Sequence, residues 1–83
     1  MDEHLKILRH KIKDVPNIKT FEDLLLNLKV SDEDKDILRA IYINNKTLSY
    51  IADTLGYSEG TIKRRHKRCL RLIATSNDIL NKL

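Results

Sequence analysis

Residues 47–73 read TLSYIADTLGYSEGTIKRRHKRCLRLI, and this stretch decides the fold. It has the pattern of a short helix, a glycine turn and a longer helix. Thr47 can cap a helix over Leu48 to Leu55, with Ile51, Ala52 and Leu55 turned inward. Gly56 stands where a left-handed residue is expected to end that helix. Tyr57 and Ser58 complete a tight turn, and Ser58 caps the next helix. There Ile62, His66, Cys69, Leu70 and Ile73 recur at i, i+4, i+7, i+8 and i+11, which places them on one face. Two helices joined this closely need a small residue at their crossing, and Ala52 supplies it. Ile51, Leu55, Tyr57 and Ile62 are the apolar residues that would fix the angle.

Upstream, the pattern stays helical. Residues 2–14 place Leu5, Leu8 and Ile12 at i, i+3 and i+7, with Ile7 beside them. Val15-Pro16-Asn17 stops that helix, because proline disfavours helical backbone at the residue before it. Thr20 is expected to cap a second helix with Asp23 in a capping box and Phe21, Leu24, Leu25 and Leu28 as its apolar face. Ser31 caps a third helix in the same way, with Asp34 three residues on. The acidic run Asp32, Glu33, Asp34 and Asp36 falls where the helix dipole favours negative charge. It reads as helix capping and repulsion of stray nucleic-acid contacts, the alternative being a patch for a partner. Ile37, Leu38, Ile41 and Tyr42 form the stripe, and Asn44-Asn45-Lys46 ends the helix. The last helix runs past Ala74 toward Leu80 unless Thr75-Ser76-Asn77 breaks it.

The expectation is an all-α, five-helix, bundle-like fold: one domain over residues 1–83, with an N-terminal helical pair over 1–30 and a motif-bearing unit over 31–74. Composition agrees. The chain has 83 residues, too few for two ordinary domains, with two Gly, one Pro and four aromatics, which argues against a sandwich or barrel. Hydrophobic residues are 41%, spread along the chain, which argues against disorder. One cysteine, Cys69, excludes an intramolecular disulfide framework. No apolar run reaches the roughly 18 residues of a membrane span, and the charged start MDEHLKILRHKIKD is unlike a signal peptide. A reducing, cytoplasmic setting without membrane association is expected.

The charge is uneven. Residues 1–58 hold nine Lys/Arg against ten Asp/Glu, whereas residues 59–71 hold six, Lys63, Arg64, Arg65, Lys67, Arg68 and Arg71, against Glu59 alone. Residues 72–83 balance Lys82 with Asp78. The whole excess of the +4 chain therefore sits on one helix. A basic segment on a neutral body is the footprint of phosphate binding; on its own it is also compatible with a solvated helix face. Here it coincides with the second helix of a helix-turn-helix, the element such a motif lays in the major groove of DNA.

The string over residues 48–73 resembles region four, the C-terminal promoter-reading region of bacterial sigma factors, and is similar to the LuxR-type DNA-binding domain. The shared features are Ile51-Ala52 in the first helix, Leu55-Gly56 at the turn, Ser58-x-x-Thr61-Ile62 opening the second helix, and a basic continuation. Residues 31–47, SDEDKDILRAIYINNKT, look like the helix that precedes the motif in such domains, so the resemblance covers residues 31–73. His66 departs from it, since an apolar residue usually stands four after the isoleucine. Eighty-three residues leave no room for the upstream sigma regions, so a complete sigma factor is not expected. Regulators carried by phages and mobile elements are the setting the resemblance suggests.

Helical geometry assigns roles. Glu59, Thr61, Lys63 and Arg64 are candidates for base edges: arginine can bond guanine bidentately, glutamate can accept from cytosine, and the threonine methyl can touch thymine. Gly60 would let the backbone approach closely. Thr47 and Ser58 are caps first, with phosphate contact a second role, and Arg65, Lys67, Arg68 and Arg71 are expected to meet phosphates or solvent. Tyr50 either contacts the DNA backbone or packs locally. His66 is expected at a boundary with its polar edge in water, and Cys69 as a small core residue. A metal site is not expected, because His66 and Cys69 have no further ligands nearby in sequence. No phosphate loop, paired-carboxylate site or nucleophile–base set is visible, so neither enzymatic activity nor a cofactor is expected.

The function implied is sequence-specific recognition of double-stranded DNA in transcriptional control, with the helix at about 58–74 in the major groove. RNA polymerase and a second copy of the chain are the further partners expected. The rival readings are a small protein-interaction module that binds RNA polymerase or another enzyme, and a DNA-packaging protein like a terminase small subunit.

Overall fold

The computed structural model describes residues 3–14 and 17–76. It contains, among the described residues, five α-helices and no strand: α1 Glu3–Lys13, α2 Ile18–Leu26, α3 Asp32–Tyr42, α4 Leu48–Leu55 and α5 Glu59–Ala74. α5 does not run past Ala74: Thr75 and Ser76 leave the helix, where the sequence offered a break. The stop at Val15-Pro16 and the course of the chain over residues 77–83 lie outside the described residues.

Side-chain caps set the helix starts. Ser31 Oγ accepts from Asp34 N–H at 3.2 Å, Thr47 Oγ1 from Tyr50 N–H at 3.1 Å, and Ser58 Oγ from Thr61 N–H at 3.1 Å. Each satisfies one of the N–H groups that a helix start leaves without an internal partner. The cap of α2 is Asn17 and not Thr20, so the helix begins three residues before the sequence expectation. Asn17 Oδ1 accepts from both the backbone N–H (2.8 Å) and the hydroxyl (3.0 Å) of Thr20. Two cap-forming residues stand three apart, and the earlier one wins because the later one can serve as its donor.

The ends are equally local. Asn45 at φ 54° closes α3, with Lys46 N–H bonded to Ala40 O at 2.9 Å. Asparagine is one of the few side chains that enter this region readily. Gly56, at φ 77° and ψ 28°, ends α4, and Tyr57 N–H returns to Ala52 O at 2.9 Å.

The chain divides into two compact units. One spans residues 30–69 and holds α3, α4 and α5 as far as Cys69. Its core is Ile37, Ile41, Ile51, Ala52 and Ile62, with Ala40, Tyr42 and Leu48 packed against it. Burying an isoleucine of this kind stabilises by about 1.5–3 kcal/mol, so the five-residue cluster holds the three helices together. Ala52, at the expected crossing, is buried. Leu55 is not turned inward as the pattern suggested: it is 36% exposed and edges a groove of about 190 Å³ lined also by Asp36, Ile37, Ala40, Tyr50, Ile51 and Thr54. The other unit comprises the N-terminal helices and the chain from Leu70 onward. Its buried side chains include Leu5, Leu8, Ile12, Phe21, Leu24, Leu25, Leu28, Leu70 and Ile73, while Ile7, Ile18 and Leu26 face solvent.

Candidate nucleic-acid interface

Alternation around α5 separates a core face from a charged one. Ile62, His66, Cys69, Leu70 and Ile73 are all buried, as the spacing required. Glu59, Gly60, Lys63, Arg64, Arg68 and Arg71 are exposed, Thr61 and Lys67 partly so, and the caps Thr47 and Ser58 are exposed. The polar side chains of the first turns are tied to one another. Arg64 Nη2 donates to Thr61 Oγ1 at 3.2 Å, and Ser58 Oγ and Thr61 Oγ1 share a hydrogen bond at 2.9 Å. Gly60 leaves space beside them: a methyl group there would stand 3.6 Å from Arg64 Nη1 and 4.0 Å from Ser58 Oγ. The start of α5 thus offers helical backbone bare of a side chain at Gly60, beside a guanidinium and two hydroxyls held together.

Arg65 is placed differently from its basic neighbours. Expected at phosphate or solvent, it turns to α3: Nε donates to Asp34 Oδ1 at 2.7 Å and Nη1 to Glu33 Oε1 at 2.6 Å. Asp34 is 4% exposed. The guanidinium carbon also lies 5.4 Å from the centroid of the Tyr57 ring, whose hydroxyl donates to the same Glu33 oxygen at 2.9 Å. The bonds from Arg65 first and Tyr57 second hold the Glu33 carboxyl below its ordinary value, and the bond to Glu33 first, with the charge of Asp34, pushes the Arg65 guanidinium up.

His66 also departs from expectation. Its ring does not reach water: it is 2% exposed, and Nε2 is hydrogen bonded to the Tyr42 hydroxyl at 2.6 Å. The two rings stand tilted, 5.6 Å between centroids. A buried imidazole needs such a partner, since an unpaired polar group in a core costs as much as a lost hydrogen bond. The inward position of a histidine was therefore a signal that a partner existed, although its identity lay 24 residues away. Cys69 is buried as expected, and burial pushes its thiol up to about 11. Tyr50 carries the Lys46 ammonium 4.8 Å from its ring centroid and is half exposed.

The packed pair α4 and α5, joined by the Gly56 turn and braced by α3, is a helix-turn-helix. A family model described as sigma-70, region 4 matches residues 28–74, more than half of the chain, and the chain belongs to that family of helix-turn-helix DNA-binding regions. No curated protein and no solved structure matches the chain. Among the described residues no helix is long and apolar enough to cross a membrane.

Proposed function

We propose that the protein is a sequence-specific, double-stranded DNA-binding regulator of transcription that lays the first turns of α5 in the major groove. The observation that supports this most is a coincidence. The helix that the motif directs at DNA carries the whole positive excess of the chain, and all but one of its six basic residues are free of the ion pairs described above. Glu59, Thr61, Lys63 and Arg64 read base edges, and the bare backbone at Gly60 permits close approach. Lys67, Arg68 and Arg71 bind phosphates, with the capped helix starts at Thr47 and Ser58 adding backbone N–H groups. Arg65 is left out of the phosphate set because two carboxylates already occupy it.

One module of this kind covers about 600–1,000 Å² of protein surface, a thin basis for specificity. A second copy of the chain or RNA polymerase supplies the rest in the cytoplasm, and the chain itself performs no catalysis. Selection of bound duplexes from a random pool is the test. A recurrent motif supports the reading, and a palindromic one assigns the second copy. Recovery of no motif, with no duplex bound at low salt, overturns it.

A further inference from the structure

Two adjacent residues of α5 bond to opposite ends of α3. Arg65 reaches its first turn, at Glu33 and Asp34. His66 reaches its last residue, Tyr42. Along the α3 backbone these residues are eight to nine positions apart, about 12–13.5 Å at the rise of an α-helix. On α5 the two side chains leave from neighbouring positions about 100° apart around the axis. Apolar packing of Ile37, Ile41 and Ile62 is non-directional and tolerates a roll of one helix on another; two hydrogen-bonded arms splayed along a partner do not. Tyr57, in the turn before α5, bonds the same Glu33 oxygen that Arg65 uses, so the turn is tied to the same point.

We infer that this two-point polar lock, Arg65 to Glu33 and Asp34 and His66 to Tyr42, aims the reading face of α5, and that Arg65 is a positioning residue rather than a phosphate contact. The inference rests on the DNA-binding reading for its consequence but not for its geometry. Arg65 gives one N–H to each of two carboxylates, and the fixed, planar spread of its donors sets direction as well as distance. The acidic residues of α3 therefore do more than cap their own helix.

The experiment compares the full chain with Arg65→Met, Arg65→Lys and Tyr42→Phe. Three quantities are read: affinity for a selected duplex relative to a random-sequence duplex, the salt dependence of binding, and residual dipolar couplings of the α3 and α5 amides without DNA. For Arg65→Met and Tyr42→Phe the preference ratio falls about tenfold, the order of one well-aimed base contact. The salt slope stays unchanged, and the couplings report a changed or broadened angle between α3 and residues 59–69. Arg65→Lys, which keeps the charge and loses the fork, recovers only part of the preference. A uniform loss on all duplexes with the slope of Arg65→Met reduced by about one would make Arg65 a phosphate contact and overturn the lock. Unchanged couplings in all three variants would overturn it as well. Should the unmodified chain prefer no duplex, the DNA-binding reading falls, and the couplings alone then decide whether α5 is locked.

Discussion

Replacing Gly60 by alanine separates what folding requires of α5 from what DNA binding requires. Gly60 is the second residue of the helix, exposed, and not in the left-handed region, so nothing in the backbone demands glycine. A methyl group there meets only Arg64 Nη1 at 3.6 Å and Ser58 Oγ at 4.0 Å, both ordinary contacts. Alanine exceeds glycine by about 1 kcal/mol in a helix interior, and about half of that is expected in the first turn. Thermal unfolding of Gly60→Ala should therefore move up by about 2–4 °C. The same methyl group stands on the face proposed to meet base edges, where it holds the backbone off the groove. Affinity for the selected duplex should fall by about 1–2 kcal/mol, the order of one base pair read wrongly. Calorimetry and a fluorescence anisotropy titration of the same sample give both numbers. A melting temperature that falls would refute the steric argument, and an unchanged affinity would remove this turn from the interface.

Gly56→Ala should behave in the opposite way: although no atom lies within 4 Å of the added methyl group, φ of 77° costs a non-glycine residue about 1–2 kcal/mol, seen as an earlier thermal transition. For acid stability, the Glu33 carboxyl is held below 4.5 by Arg65 and Tyr57, so its contribution is fully present above that value and is lost as pH falls through the lowered one. Urea unfolding as a function of pH should show this acid-side loss in the native chain and a flatter profile below 4.5 in Glu33→Gln; coincident profiles would show that the carboxylate contributes nothing.

What the sequence disclosed follows the range of the interactions. The caps at Ser31, Thr47 and Ser58 and the left-handed Gly56 depend on residues within four positions of one another, and all were legible. So was the buried face from Ile62 to Ile73, because helical periodicity is itself a local rule. Thr20 was mistaken for a cap because Asn17, three residues earlier, already caps the helix and takes the N–H and hydroxyl of Thr20 as its donors. Leu55 was misplaced because periodicity says which side a residue faces and not whether a neighbour covers it; α4 presents it to an open groove. The partners of Arg65 and His66 lie 31, 32 and 24 residues away, and spacing carries no information about them. The charge run alone could not show that one of its six cations is turned to carboxylates.

The most direct test of the central claim, that the basic face of α5 lies along duplex DNA, is the salt dependence of binding. With Lys63, Arg64, Lys67, Arg68 and Arg71 exposed or partly exposed on that helix, three to five phosphates neutralised would make log K fall against log salt with a slope of roughly −3 to −5. A slope near zero, or no binding at low ionic strength, would contradict the account.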